Sequence, residues 1–187
     1  AAPAVLHYEL SKKALLAGKD VYVEKPLALD VTHGEELVEI AERENQILMV
    51  GHILLYHSAV VKMKEMIDAG EIGEILYMSS NRLNIGKLRQ EENVLWSFAP
   101  HDISVMLHLI GEEPKKVEAF AHTYLNEGVA DVTITHLDFE KAAGHIYVSW
   151  LNPFKEQKFT VVGSEKMLVF DDRAENKLVM YEHVINN

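Results

Sequence analysis

The sequence predicts an α/β chain. A parallel strand–helix–strand segment fills residues 1–51, and an α+β part with a mainly antiparallel sheet fills residues 52–187. Three observations predict this. Two short apolar runs, Val21–Val23 and residues 47–50, flank a helical pattern with short links, which implies a parallel sheet. From residue 52 the pattern changes to helix, strand, polar stretch and helix. Beyond Gly111 six strand-like runs follow with only turn-like segments between them, which implies antiparallel pairing.

Each element has a local reason. Leu6, Leu10 and Ala14 recur at helical spacing, so residues 8–17 read as a helix with Gly18 as its stop. Val21–Val23 reads as a short buried strand. Thr32-His33-Gly34-Glu35 fits a capping box, and Leu37, Ile40 and Ala41 form the buried stripe of the helix it opens, which ends near Asn45. The strand at 47–50 is closed by Gly51. A helix over 58–69 turns Val60, Met63, Met66 and Ile67 inward and stops at Gly70. Residues 75–80 read as a strand and 81–93 as a long polar loop, a kind that is often functional. Pro100 suits the first turn of a helix over 101–110, which Gly111 ends. The later strands fall at 117–124, 132–139, 145–150, 159–162, 167–170 and 178–181.

Composition narrows the function. With 187 residues, 48% hydrophobic and 25% charged, the chain can bury a substantial core. No apolar run approaches the ~20 residues that span a bilayer. No basic-then-apolar leader is visible in the first residues, although a segment ahead of Ala1 could have carried one. The net charge of −11 argues against wrapping a nucleic-acid backbone. Cysteine is absent, which removes thiolate chemistry and Cys-based zinc sites and suits a cytoplasmic protein. Ten histidines invite a metal reading, but no H-E-x-x-H or repeated ligand spacing supports one, so no metal site is expected.

Three motifs stand in order: Glu24-Lys25-Pro26 at a strand's end, Gly51-His52 with Tyr56-His57, and Trp96-Ser97-Phe98-Ala99-Pro100-His101-Asp102. In this order and at these separations they resemble the Gfo/Idh/MocA family of NAD(P)-dependent sugar dehydrogenases, over the whole chain. The resemblance implies that residues 1–51 are the C-terminal part of a Rossmann-type NAD(P)-binding sheet. Residues 52–187 would be an α+β substrate-binding and oligomerisation domain built on a large, open, mainly antiparallel sheet. It also implies a chain that begins partway through the nucleotide-binding domain and ends early. Ala2-Pro3-Ala4 and His7 look like the family's loop near the nicotinamide ribose, so Pro3, His7, Glu24, Lys25 and Pro26 are its cofactor-binding candidates. Lys25 and His101 match its active-site lysine and histidine. Asn93-Val94-Leu95-Trp96, Ala99 to Ile103, Ser149-Trp150-Leu151 and Pro153-Phe154-Lys155 resemble a branch that oxidises the 3-hydroxyl of UDP-linked N-acetylated sugars or their uronates.

Two departures stand out. Many members carry Asp four residues before the histidine, where this chain has Ser97. No G-x-G-x-x-G follows a strand, so the pyrophosphate-binding turn is missing and this chain alone is expected to bind NAD poorly. NAD and NADP are not distinguished, since the discriminating residue would lie upstream.

Oxidising a secondary alcohol needs a hydride acceptor, a base for the hydroxyl proton and stabilisation of a developing alkoxide. His101 is the better-matched base near neutral pH, with Lys25 orienting and polarising the oxygen, or the two roles are exchanged. Taken without its neighbours, Lys25 is a surface lysine at a strand end, and His101 a helix residue that caps or packs. Glu24 and Pro26 shape the turn. Asp102 orients an imidazole or caps the helix, and Ser97 is a candidate helix cap. His52 and Tyr56 line a sugar site or pack at a domain junction. Arg82, Asn84, Arg89 and Asn93 either recognise a diphosphate, for which arginine's planar fork is suited, or belong to a solvated loop. Trp96 is a substrate-site candidate, although it and Trp150 read first as core aromatics.

The leading reading is an NAD(P)-dependent sugar or nucleotide-sugar dehydrogenase that assembles through the open sheet. Val132, Ile134, Leu137, Ile146, Val148, Val161 and Leu168 are compatible with such an interface. The alternatives are a non-catalytic binding or oligomerisation module of the same fold, and a lyase or glycosidase that oxidises its substrate only transiently.

Overall fold

The computed structural model describes residues 2–85, 92–125 and 127–182. The chain divides into two compact units, Ala1–Ile53 and Leu54–Asn187.

In the first unit a 3₁₀ turn, Ala4–Leu6, leads into α1 (His7–Leu16). β1 (Val21–Val23), α2 (Val31–Arg43) and β2 (Leu48–Val50) follow. β1 and β2 pair in parallel, Val23 beside Val50. Leu15, Leu37, Ile40 and Ala41 form the core, with Tyr8, Val21, Leu27 and Leu48 packed on it. The stripe of α2 is as the spacing predicts. That of α1 is not: Leu6 and Leu10 are exposed, and the buried positions are His7, Ser11 and Leu15. The apolar periodicity misleads by one position because a polar His7 is taken inside, its ring nitrogens facing two backbone carbonyls. The expected capping box is also replaced. The N-cap of α2 is Asp30, whose carboxylate accepts from the Thr32 backbone N–H at 2.8 Å. The Thr32 hydroxyl also donates to Asp30. These bonds hold the Asp30 carboxyl below its ordinary pKa.

In the second unit a 3₁₀ turn, Ile53–Tyr56, whose first residue belongs to the first unit, precedes α3 (Ser58–Asp68). Then come β3 (Ile75–Leu83), α4 (Val94–Ile110), β4 (Lys116–His122) and β5 (Val132–Asp138). β6 (Ala143–Ser149), β7 (Glu156–Gly163), β8 (Lys166–Asp171) and β9 (Leu178–Glu182) follow. Among the described residues these strands make one seven-stranded sheet, ordered β4-β5-β6-β3-β7-β8-β9. Every pairing is antiparallel except β3 with β6, which is parallel. The sheet is thus mainly antiparallel as expected, and the one parallel pairing arises where β3 is followed by a helical crossover before the later strands. One face, with Met78, Ile146, Val148, Val161 and Leu168, joins the core with Val60 and Met63 of α3 and Val105, Met106 and Leu109 of α4.

Two boundaries move. β3 runs to Leu83, so Asn81 and Arg82 are strand rather than loop. It is paired on both sides, and that ladder binds its backbone whatever the side-chain polarity. α4 starts at Val94, and Pro100 lies inside it. The Asn93 side chain accepts from the Trp96 N–H at 3.1 Å and fixes this earlier start. Ser97 is therefore a buried residue at the first turn of the helix and not the cap. Gly111, at φ 78°, ends the helix as predicted. Trp150 is core, edge-on to Phe98 at 6.4 Å. Trp96 is 40% exposed, against the core expectation.

Gly163 offers a test of the packing. A Cβ there would sit 2.1 Å from the Ile72 carbonyl oxygen. Gly163→Ala is expected to lower stability by about 1–3 kcal/mol through overpacking, read as a lower denaturation midpoint.

Candidate functional site

The sequence-predicted residues gather into one constellation in each unit. The first is the C-terminal edge of β1 and β2, the edge at which open α/β sheets take ligands. Because the strands are parallel, Glu24-Lys25-Pro26 and Gly51-His52 leave the sheet from the same side. The Gly51 N–H donates to the Val23 carbonyl at 2.8 Å. A Cβ on Gly51 would lie 2.9 Å from the Tyr22 hydroxyl and 3.1 Å from a Glu24 carboxylate oxygen, so glycine permits this close approach. Lys25 is half-buried, Glu24 and Pro3 are exposed, and Pro26 is buried behind a cis Lys25-Pro26 peptide.

His52 is half-buried beside this edge. Burial, and secondarily the positive charge of Lys25, lower its pKa below the ordinary imidazole value. Its Nδ1 is buried with no hydrogen-bond partner among the described residues. His7 is 5% exposed. Its Nδ1 meets the Pro26 carbonyl at 2.7 Å and its Nε2 the Ala2 carbonyl at 3.0 Å. Both ring nitrogens thus face backbone carbonyls.

The second constellation is α4 over β3. α4 carries Trp96, Ser97, His101 and Asp102 on a helix that Asn93 starts. Among the described residues the carboxylate of Asp102 neither caps the helix nor bonds an imidazole. It accepts two hydrogen bonds from Arg82, from Nε at 2.8 Å and Nη2 at 3.1 Å. The two side chains are 12% and 4% exposed. With the Gln157 amide oriented to satisfy both its neighbours, its oxygen accepts from Arg82 Nη1 at 3.0 Å and its N–H donates to Asp172 at 2.7 Å. All three guanidinium nitrogens of Arg82 thus have protein partners. Leu54, Val105, Phe159 and Phe170 wall a small cleft beside the network.

Asn84 is anchored through its backbone, its N–H donating to the Ser149 carbonyl at 3.1 Å. Tyr56 is 70% exposed. Arg89 lies outside the described residues. Sequence reasoning missed Gln157 and Asp172, which sit far from Arg82 in the chain and carry no motif.

Known proteins were compared with the chain. Residues 1–52 match the oxidoreductase family with an NAD-binding Rossmann fold, and residues 60–169 match the Gfo/Idh/MocA C-terminal domain. The scyllo-inositol 2-dehydrogenase (NAD(+)) of Bacillus subtilis is 26% identical over 175 residues, 87% of this chain and 51% of that protein. The UDP-N-acetylglucosamine 3-dehydrogenase of Acidithiobacillus ferrooxidans is 31% identical over 132 residues, 70% of this chain and 39% of that protein. The crystal structure of an NAD binding oxidoreductase from Klebsiella pneumoniae superimposes with a TM-score of 0.87 at 26% identity, over 97% of this chain and 55% of that one. The chain thus spans about half or less of the curated relatives it matches.

Two outcomes follow from this geometry. Breaking the ion pair on one side, by Arg82→Met or Asp102→Leu, leaves a buried charge and costs about 3–5 kcal/mol in denaturant unfolding, whereas the double variant recovers most of that loss. His52 titrates, by NMR, below 6.5, and Lys25→Met moves its midpoint up. Its contribution to stability is intact above that ordinary value and is lost as pH falls below it, because the unfolded chain takes the proton first.

Proposed function

The chain belongs to the Gfo/Idh/MocA family of oxidoreductases, and on that premise we propose that the whole protein oxidises a secondary hydroxyl of a sugar or cyclic polyol with NAD or NADP. The sharper substrate is C3 of a UDP-N-acetylated sugar or uronate. The observation that carries the reading is the placement of Lys25 and His52 at the C-terminal edge of a parallel strand pair, within the segment that matches the NAD-binding family. The 31% identity to a UDP-N-acetylglucosamine 3-dehydrogenase supports the nucleotide sugar, and the 26% identity to an NAD(+)-dependent inositol dehydrogenase supports the wider polyol class.

In this reading the nicotinamide, when bound, supplies the hydride acceptor. His101 takes the hydroxyl proton as the alcohol becomes a ketone. The Lys25 ammonium donates a hydrogen bond to the oxygen and stabilises the charge that develops on it. The unpartnered buried Nδ1 of His52 offers a further polar contact at the same edge as Lys25. Pro3, Glu24, Lys25 and Pro26 would hold the nicotinamide end of the dinucleotide. None of the 187 residues is assigned to its pyrophosphate, since no glycine-rich turn follows a strand. Asn84, Asn93, Trp96, Ser97 and Tyr56 remain proposed substrate contacts.

Assembly belongs to the same proposal. The sheet face away from α3 and α4 carries Phe120 beside Ile134, and Tyr77 in register with Val162, Met167 and Tyr181. Phe120, Ile134, Tyr77 and Tyr181 are all exposed. A second copy laid on this face would cover them.

The test uses the intact native protein, NAD and a panel of inositols and UDP-N-acetylhexosamines. Lys25→Ala and His101→Ala are each expected to lower kcat by about 10²–10⁴-fold. His101→Ala is also expected to remove the acidic limb of the pH–rate profile. Near-wild-type rates with unchanged profiles would contradict the assignment. Sedimentation should show an oligomer, and a stable monomer would contradict the assembly.

A further inference from the structure

We propose that His7 is a positioning residue for Lys25, holding the Lys25-Pro26 turn through backbone and making no bond of its own to a cofactor. The inference rests on the reading in which Lys25 is catalytic. His7 opens α1, after Pro3 turns the chain into the 3₁₀ turn whose Leu6 N–H donates to the Pro3 carbonyl at 2.9 Å. The imidazole is 5% exposed, among the most buried polar side chains of its unit. It bridges two segments: the Pro26 carbonyl at 2.7 Å, 19 residues away, and the Ala2 carbonyl at 3.0 Å.

Carbonyl oxygens only accept and a neutral imidazole carries one N–H, so the ring donates through Nδ1 to the Pro26 carbonyl, the shorter contact, and to the Ala2 carbonyl as well only as an imidazolium. The Pro26 carbonyl is two residues along from Glu24 and directly follows Lys25, on a segment that has left the β1–β2 ladder and lacks strand pairing. Such a segment keeps its geometry only through other bonds. His7 supplies one from a rigid helix start, and a misplacement of ~1 Å at a catalytic group can cost about 10²-fold in rate.

The two contacts can be separated. His7→Asn places an amide N–H near the position of Nδ1 and retains the Pro26 bond, whereas His7→Gln places it near Nε2 and retains only the Ala2 bond. In the intact native protein, hydrogen exchange at residues 24–28 is expected to speed about tenfold in His7→Gln and to stay near wild type in His7→Asn. kcat is expected to fall in His7→Gln and to be kept in His7→Asn, with the Kd for NADH unchanged in both. Exchange unaltered in His7→Gln, equal loss in both variants, or a Kd for NADH that rises in step with the loss of rate would overturn the proposal. Lys25→Ala, measured alongside, separates the two ideas. If it keeps full activity, the catalytic reading of Lys25 fails, while the exchange result still decides whether His7 holds the turn.

Discussion

The two-sided pairing of β3 is the constraint on which the second unit depends. Nine residues long, it runs parallel to β6 and antiparallel to β7, so it joins the β4–β6 and β7–β9 halves of the sheet. A strand fixed on both edges cannot slip by one residue without turning its buried side chains to the other face. Met78 and Ser80 are thereby held beneath the helices, and Arg82 is delivered to the same face as they are. The Arg82–Asp102 pair then sets α4 against the sheet. Buried ion pairs add little net stability compared with apolar side chains of the same volume. What this one adds is direction: two parallel hydrogen bonds fix one orientation of the guanidinium against the carboxylate. Asp102 adjoins His101, so the orientation of the helix turn that carries His101 is tied to β3.

The first unit uses a different device for the same end. β1 and β2 are three residues each, too short to hold much beyond themselves. The residues that follow them are held by side chains instead: His7 grips the Pro26 carbonyl, and Gly51 gives way to Tyr22 and Glu24. On the far side, Lys12 pairs with Glu36 at 2.6 Å while Tyr8 donates to Glu36 and stacks on His33, tying α1 to α2. This pair raises the Lys12 pKa and lowers that of Glu36, but both groups are solvent-facing, so it orders the surface more than it stabilises the fold.

Much of this was legible in the residues. The parallel pair, the α2 stripe of Leu37, Ile40 and Ala41, and the strand-rich second half follow from periodicity and turn chemistry, which are local. The family was legible from Lys25 and His101 in their motifs. What periodicity could not show were side chains satisfied at a distance. Nothing local in the sequence shows the two carbonyls that the His7 ring faces. Arg82 reads as a loop residue awaiting an anion until Asp102, Gln157 and the β6 and β7 ladders are placed around it. Asn93 and Asp30 displaced the expected caps because several cap-forming residues lay within a turn of each other, and only the backbone decides among them. The roles given to Lys25 and His101 rest on the motifs and on the family.

The central claim is that this family member moves hydride between a carbinol carbon and a nicotinamide. The most direct test is label transfer: the intact native protein, NAD, and inositols and UDP-N-acetylhexosamines deuterated at their carbinol carbons, with the reduced cofactor examined by mass spectrometry. The account predicts deuterium in the nicotinamide together with a ketone product. Bound NADH with no labelled cofactor from any of these substrates would contradict it.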